Sequence, residues 1–513
     1  MQPATVAGPR LHAWLAALAL AALTLAVRWP FHDVVGEDES FFLVIAHQWR
    51  LGLAPYVGAF DVKPPGLFAM VAVAEALFGS GVVAIKALEC AAVAATAITL
   101  YLFGRRFLTP TAGFLGGVLY VAASLDLSGV ESSAELLASA FVAPAMLIGL
   151  GALRAQRPAV LVIAGALIGA AVCVKQPAAF EGLVLMAATL EASKGARIKT
   201  SLALLAGMAI TPVGFFLFYA FTGHAGALVD DTVLGAVGRM KGDNLSWADA
   251  VLRMAPMLKP VLPLVIGALL LWVERGRVRS KPFYPALILL ARWTAGALAG
   301  VLAVKAMYDH CYLTLLAPLS LLTGVFIDQV AAQIGPQRLR AVSRAGLVAG
   351  ALVFLLRQPL PLLGPAEGEV AAEEQVSSQL RALGARPEDH ILVLGRHLAV
   401  YLLAAAEPPT GVFHPMQLLC PFPQLNGRDA LSDAFAHRPN FVILPDPATR
   451  MLCELPQRRR EIAAALASDY CAVGRSATFV SNGAPDRITI YGRRDRLGRA
   501  CRPDIPPPVA LLT

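Results

Sequence analysis

The chain has 513 residues, of which 57% are hydrophobic and 15% charged, with a mean hydropathy of +0.63. Water-soluble globules are less apolar and carry about a quarter charged residues, so a soluble enzyme is excluded, as are a disordered chain and a fibrous repeat; this is the composition of a membrane protein. Lys and Arg outnumber Asp and Glu by 43 to 35, yet residues 358–513 hold 16 Arg, no Lys and 16 acids, so the whole excess lies in residues 1–357, where it reads as cations in cytoplasmic loops and not as a nucleic-acid surface.

A membrane helix needs about 20 mostly apolar residues. In chain order such runs are predicted at Leu11–Val27, Val82–Phe103, Ala112–Leu125, Ala134–Leu153, Ala159–Val174, Ala179–Leu190, Thr200–Phe221, Pro256–Val273, Phe283–Ala306, Tyr312–Phe326 and Ala345–Leu356, about eleven in all. With a cytoplasmic N-terminus, the inner connections hold Arg105/Arg106, Arg154/Arg157, Lys194/Arg197/Lys199, Arg275/Arg277/Arg279/Lys281 and Arg338/Arg340/Arg344, all basic as the positive-inside rule requires. The opposite connections, from His32 to Asp61, Asp126 to Glu135, Asp230 to Asp249 and at Asp309, are acidic or mixed and face outward. Gly66–Gly79 is apolar but only about 14 residues long, too short to span, and reads as an interfacial or re-entrant helix on the outer face.

Beyond Arg357 the long apolar runs give way to short ones broken by Pro and Gly. Helical segments at 373–383, 429–437 and 458–468 alternate with β-branched runs at 391–394, 441–444, 477–480 and 488–491, the pattern of a small α/β domain. The chain thus divides into a membrane module, residues 1–357, and a C-terminal domain, residues 358–513. An odd number of spans puts that domain outside the cytoplasm. Four of the seven Cys (Cys420, Cys453, Cys471 and Cys501) lie in it, where disulfides are permitted and three pairings remain open. Cys90, Cys173 and Cys311 lie in or beside spans as small core residues.

The candidate chemistry gathers in outward loops. The first, Phe31–Gly66, places Glu37, Asp38 and Glu39 about ten residues after a span, followed by Asp61, Lys63 and the pair Pro64/Pro65. Carboxylates at a membrane surface can act as bases, and a nearby Lys can neutralise a phosphate; a solvated acidic loop with a Pro turn is the plainer alternative. Lys175 sits at the turn of an apolar hairpin, where a lone Lys also serves as a snorkelling anchor. Arg239 and Lys241 fall in a later outer loop, and His310 beside Asp309 could bind an anion or cap a helix.

The order Asp38-Glu39, then Asp61-Val62-Lys63-Pro64-Pro65-Gly66, then Gly104-Arg105-Arg106-Phe107 resembles the GT-C glycosyltransferases of the protein O-mannosyltransferase and lipid A aminoarabinose transferase type. Ser128–Leu136 looks like the loop-to-span entry of bacterial members, and His310-Cys311-Tyr312 followed by Pro318 resembles their His-Tyr segment. The chain departs from the aminoarabinose transferases at Val62, where they carry an acid before the Lys-Pro pair, and at Cys311, where others carry Tyr. The resemblance implies a polytopic α-helical GT-C-like protein with an extracytoplasmic C-terminal domain, set in the inner (cytoplasmic) membrane. The expected reaction moves a sugar from a polyprenyl-phosphate donor to an envelope glycan, lipid or protein acceptor on the outer face, with inversion. In that frame Asp38 is the general base, with Glu39 beside it; Lys63, Lys175, His310 and Arg239 meet the donor phosphate; Asp61 and Glu131 orient partners or bind acceptor. No cofactor is called for, although Asp38, Glu39 and Asp61 could ligate a divalent cation if they converge. The competing class is a transporter or flippase, against which the absence of an internal repeat and the one-sided charge both argue.

Overall fold

The computed structural model describes residues 10–131, 134–192, 196–242, 246–305, 308–333, 337–356, 369–420, 425, 428–446, 456–481, 484–497, 501–502 and 504–505. Among them, seven helices are long and apolar enough to cross a membrane: Ala13–Phe31, Val82–Phe107, Ala134–Arg154, Arg197–Phe221, Val251–Val273, Tyr284–Val304 and Asp309–Ala332. The other four predicted runs lie on helices that are shorter or more charged, Pro110–Ala123, Pro158–Val174, Ala178–Ala192 and Gln337–Leu355. The chain is therefore a multi-pass α-helical membrane protein. The short apolar run is a 14-residue helix, Pro65–Phe78, opened by Pro65 in its first turn and stopped by Gly79 at φ 87°; Pro suits a helix start and a left-handed Gly its end. The expected division at 357/358 falls outside the described residues.

The chain separates into two compact units. The first comprises residues 1–30, 89–218 and 244–363, and the second residues 31–88, 219–243 and 364–513.

In the first unit, helices pack through small residues, as lipid-embedded helices must when no hydrophobic drive separates protein from lipid. A Cβ on Gly104 would lie 2.2 Å from the Gly113 Cα, and one on Gly207 would lie 2.1 Å from the Val162 carbonyl oxygen, so both crossings require Gly. Several polar groups inside this unit are paired. Arg28 ion-pairs with Glu89 and donates to the Ser124 carbonyl and hydroxyl, each at 2.8 Å. Thr109 caps Pro110–Ala123 by accepting the Ala112 N–H and donates to Asp328 at 2.8 Å, which in turn holds Arg344 at 2.6 Å.

The second unit contains a five-stranded mixed sheet: β1 (Ile391–Val393), β2 (Phe441–Asp446), β3 (Tyr470–Arg475), β4 (Phe479–Ser481) and β5 (Ala484–Arg493). The order is β1-β2-β5-β3, with β4 also on β5. β1 and β2 run parallel, with Ile391 opposite Phe441; every other pairing is antiparallel. Helices Ala430–Ala436 and Pro456–Asp469 bury Leu431, Ala434, Ile462 and Leu466 against Leu392, Val442, Leu444 and Tyr491. Strand β3 is absent from the sequence reading because it follows helix Pro456–Asp469 with no Gly or Pro between them. Cys471 and Cys501 form a disulfide and Cys420 is also disulfide-bonded; Cys453 lies outside the described residues. Cys90, Cys173 and Cys311 are thiols outside these disulfides.

Candidate functional site

Helix Glu37–Arg50 begins on three acids, which suits the positive end of its dipole. Each acid leaves the helix in a different direction. Glu39 turns inward: Oε2 accepts the Gly36 N–H at 2.6 Å and Oε1 lies 2.6 Å from the Lys86 ammonium, both side chains being fully buried. Asp38, whose side chain is 37% exposed, directs Oδ1 to Lys63 Nζ at 3.4 Å. Glu37 directs Oε1 to His414 Nδ1 at 3.3 Å.

The loop after this helix is fixed by its own contacts. Tyr56 donates its hydroxyl to the Lys63 carbonyl at 2.6 Å, and Asp61 accepts the Val62 N–H at 2.7 Å. Lys63 stands over the Phe42 ring, 4.9 Å from its centroid, with Asp61 Oδ2 3.7 Å from Nζ. One ammonium is thus shared by Asp38 and Asp61 against an aromatic face, where cation–π attraction adds to the ion pairs. Burial pushes the Glu37 carboxyl above the ordinary glutamate range; Asp38 adds to the rise, and His414, Arg396 and Lys63 oppose it. Asp231, pushed up to about 7, follows the same logic: burial first, then Asp230 and Asp61, against Arg428.

A second cluster belongs to the first unit. Lys175 Nζ lies 2.7 Å from the buried Glu135 Oε1. Ligand atoms of Glu135, His310 and Cys311 lie within 4.8 Å of one another. His310 stacks on Tyr308 at 5.6 Å between centroids and its backbone N–H donates to the Asp309 side chain at 2.8 Å; Asp309 also accepts from the Ser128 hydroxyl at 2.5 Å.

Residues 62–219 match the family model described as dolichyl-phosphate-mannose-protein mannosyltransferase. The crystal structure of ArnT from Cupriavidus metallidurans bound to undecaprenyl phosphate aligns with TM-score 0.60 at 16% identity, over 96% of this chain and 99% of that one. The chain shares the fold of that protein. The apo state of the same ArnT aligns with this chain at TM-score 0.56 and 15% identity, over 96% and 100%. Archaeal oligosaccharyltransferase AglB from Archaeoglobus fulgidus, in complex with an inhibitory peptide and a dolichol-phosphate, aligns at 0.51 and 13%, over 97% of this chain and 75% of that one. No curated protein sequence matches the chain.

Of the residues singled out from sequence, Asp38, Asp61 and Lys63 meet at one ammonium. Glu39 does not join them, because both of its oxygens are occupied by Gly36 and Lys86. Lys175 and His310 share the Glu135 cluster instead. Glu131, half-buried, donates its N–H to the Ser128 carbonyl at 3.1 Å, and the Lys175 partner is Glu135, four residues on. Arg239 lies on helix Gly235–Gly242, its side chain outside those described. The three acids imagined as a cation site do not converge on a vacant centre: Asp38 and Asp61 face Lys63, and Glu39 faces Lys86. Among the described residues the group that could hold a metal is Glu135, His310 and Cys311, and there Lys175 already neutralises the carboxylate. The sequence reading overlooked Glu37 as a site group and His414 altogether. His414 stands alone before a Pro in a loop, and its only local signal is that of a helix cap.

Proposed function

We propose that this chain is a polyprenyl-phosphate-sugar-dependent GT-C glycosyltransferase of the inner membrane, acting at the outer face on an envelope glycan, lipid or protein. The observation that carries this reading is the 3.4 Å separation of Asp38 Oδ1 and Lys63 Nζ, a base and a cation within the reach of one glycosyl phosphate.

In the proposed reaction Asp38 takes the proton of the acceptor hydroxyl, whose oxygen forms a bond to the anomeric carbon from the face opposite the phosphate. The bond from that carbon to the phosphate oxygen breaks, and the electron pair leaves with the polyprenyl phosphate. Inversion follows from the opposed faces. Lys63 stabilises the charge gathering on the departing phosphate, and a preoriented cation against an aromatic face is worth more there than in water. Asp61 holds Lys63 in place, and Tyr56 fixes the backbone that carries it. Lys175 and His310 are further donor-phosphate candidates within their own cluster.

The test is the full chain reconstituted in nanodiscs with undecaprenyl-phosphate-linked aminoarabinose, mannose and a hexuronic acid, read by release of undecaprenyl phosphate. Turnover of one donor is expected, with Asp38→Asn lowering it by about three orders of magnitude or more while expression and unfolding temperature hold, since a base contributes about 10²- to 10⁴-fold. Near-normal turnover in that variant removes Asp38 from the mechanism. Movement of an intact donor across the bilayer, with no release of lipid phosphate, replaces the transferase with a carrier.

A further inference from the structure

His414 is buried, 7% exposed, and nothing in the reaction above uses it. It belongs to the C-terminal part of the second unit and caps helix Pro415–Leu419. Its ring meets Phe41 edge-on with centroids 4.6 Å apart, while the neighbouring Phe413 packs on the same Phe41 at 5.0 Å and on Tyr401 at 5.6 Å. Aromatic packing on this scale restricts the ring to one orientation.

In that orientation the two ring nitrogens face different acids of helix Glu37–Arg50. Nδ1 accepts the Met416 N–H at 3.2 Å and lies 3.3 Å from Glu37 Oε1. Nε2 lies 3.7 Å from Asp38 Oδ1. In a neutral imidazole one nitrogen accepts and the other carries the proton; an accepting Nδ1 leaves the N–H on Nε2, toward Asp38.

We propose that His414 is a positioning residue for the glycosyl transfer: it bridges Glu37 and Asp38, and its Nε2–H, together with Lys63 Nζ, holds Asp38 Oδ1 so that the carboxylate keeps one orientation toward the acceptor. The inference rests on the reading of Asp38 as the base. Three observations support it. Lys63 Nζ and His414 Nε2 lie 3.4 and 3.7 Å from the same oxygen, Oδ1, so both restrict the carboxylate from one side. Asp38 is the most exposed of the three acids and has the most freedom to lose, since Glu39 is locked on Gly36 and Lys86. The Met416 N–H donated to Nδ1 selects the tautomer that turns Nε2–H toward Asp38. The charged groups facing this bridge are Lys63 and Arg396 in addition to the two acids.

Two substitutions separate positioning from helix capping. An Asn side chain places its oxygen where Nδ1 stands and is a good cap, but it ends short of Asp38; a Gln side chain carries its amide to where Nε2 stands. In the nanodisc assay, with whichever of the three undecaprenyl-phosphate sugars turns over fastest, His414→Asn is expected to lower kcat about 10- to 100-fold, the size of effect that misplacing a reacting group by about 1 Å produces, with KM for the donor unchanged. His414→Gln is expected to keep most of kcat. A role in capping alone gives the reverse order, and that order, or an unimpaired His414→Asn, overturns the proposal. Asp38→Asn run alongside distinguishes the failures: an active Asp38→Asn removes the base assignment itself, whereas an inactive one beside an unimpaired His414→Asn removes only His414. A donor-independent readout is the ¹⁵N-histidine spectrum, in which the signal lost in His414→Asn should report a proton on Nε2 and a bare Nδ1. A proton on Nδ1 would overturn the inference.

Discussion

Asp231 and Asp38 are both acids in the first turn of helical segments of the second unit, and their surroundings assign them opposite behaviour. Asp38 has Lys63 at 3.4 Å; Asp231 has burial, Asp230 and Asp61 raising its pKa to about 7, with Arg428 in partial opposition. An aspartate with an unfolded pKa of 3.8 and a folded pKa near 7 binds more protons folded than unfolded between those values. Stability therefore falls as pH rises through that window and levels off above it. Asp231→Asn, which cannot ionise, should match the wild type near pH 3, below the unfolded pKa, and exceed it at pH 8 by about 1 kcal/mol after allowance for solvent screening. Thermal unfolding at the two pH values measures this, and an equal difference at both would remove Asp231 as the titrating group. None of this was legible in the sequence, where Asp230-Asp231 looks like any acidic pair in an outer loop, because burial is a tertiary property. Asp38 and Lys63 were legible because acids followed by Lys-Pro-Pro stand out against the apolar runs on either side, although the sequence could not say that the two groups meet.

At the scale of the element, helix Glu37–Arg50 explains why three adjacent acids have three roles. Successive residues on a helix are about 100° apart, so Glu37, Asp38 and Glu39 cannot face one partner. Glu39 falls at the third helical position and reaches back to the Gly36 N–H, half of a capping box whose other half is missing because Gly36 has no side chain. That missing Ser or Thr hid the signal. Its second oxygen neutralises Lys86, 3% exposed, so Glu39→Gln removes a counter-charge from a buried ammonium and should destabilise the chain by about 3–5 kcal/mol. Glu39→Gln combined with Lys86→Met, in which no buried charge remains, should recover most of the loss. Unfolding temperatures of the two variants decide the matter. If the double variant is no more stable than the single one, the ion pair is not what Glu39 supplies. The same reasoning shows why strand β3 escaped notice while the other strands did not: strand signals depend on the turn residues that bracket them, and Asp469 passes into Tyr470 without one.

Over the whole molecule, the legible features were those that lipid imposes. Every predicted apolar run lies on a helix, because backbone polar groups in hydrocarbon can be satisfied within a helix and scarcely otherwise. Close crossings such as Gly104 with Gly113 were not legible, since Gly is frequent throughout the chain and only packing tells which ones permit contact. Sidedness joins two independent observations. The basic connections alternate with acidic ones if the N-terminus is cytoplasmic, and if each of the eleven predicted runs crosses, their odd number would deliver the C-terminal part to the outer side; the disulfide between Cys471 and Cys501 suits the same compartment, because reducing cytosol keeps thiols apart. Single cysteines placed at Arg105 and at Arg277 should therefore react with a membrane-impermeant maleimide only after the cells are permeabilised, whereas one placed at Ser378, on helix Glu369–Ala382, should react in intact spheroplasts. Labelling of Ser378→Cys only after permeabilisation would put the C-terminal part in the cytoplasm. Asp38 and His414 would then have to work against a donor on the inner leaflet, and the outer-face reaction would fail even if both residues proved indispensable.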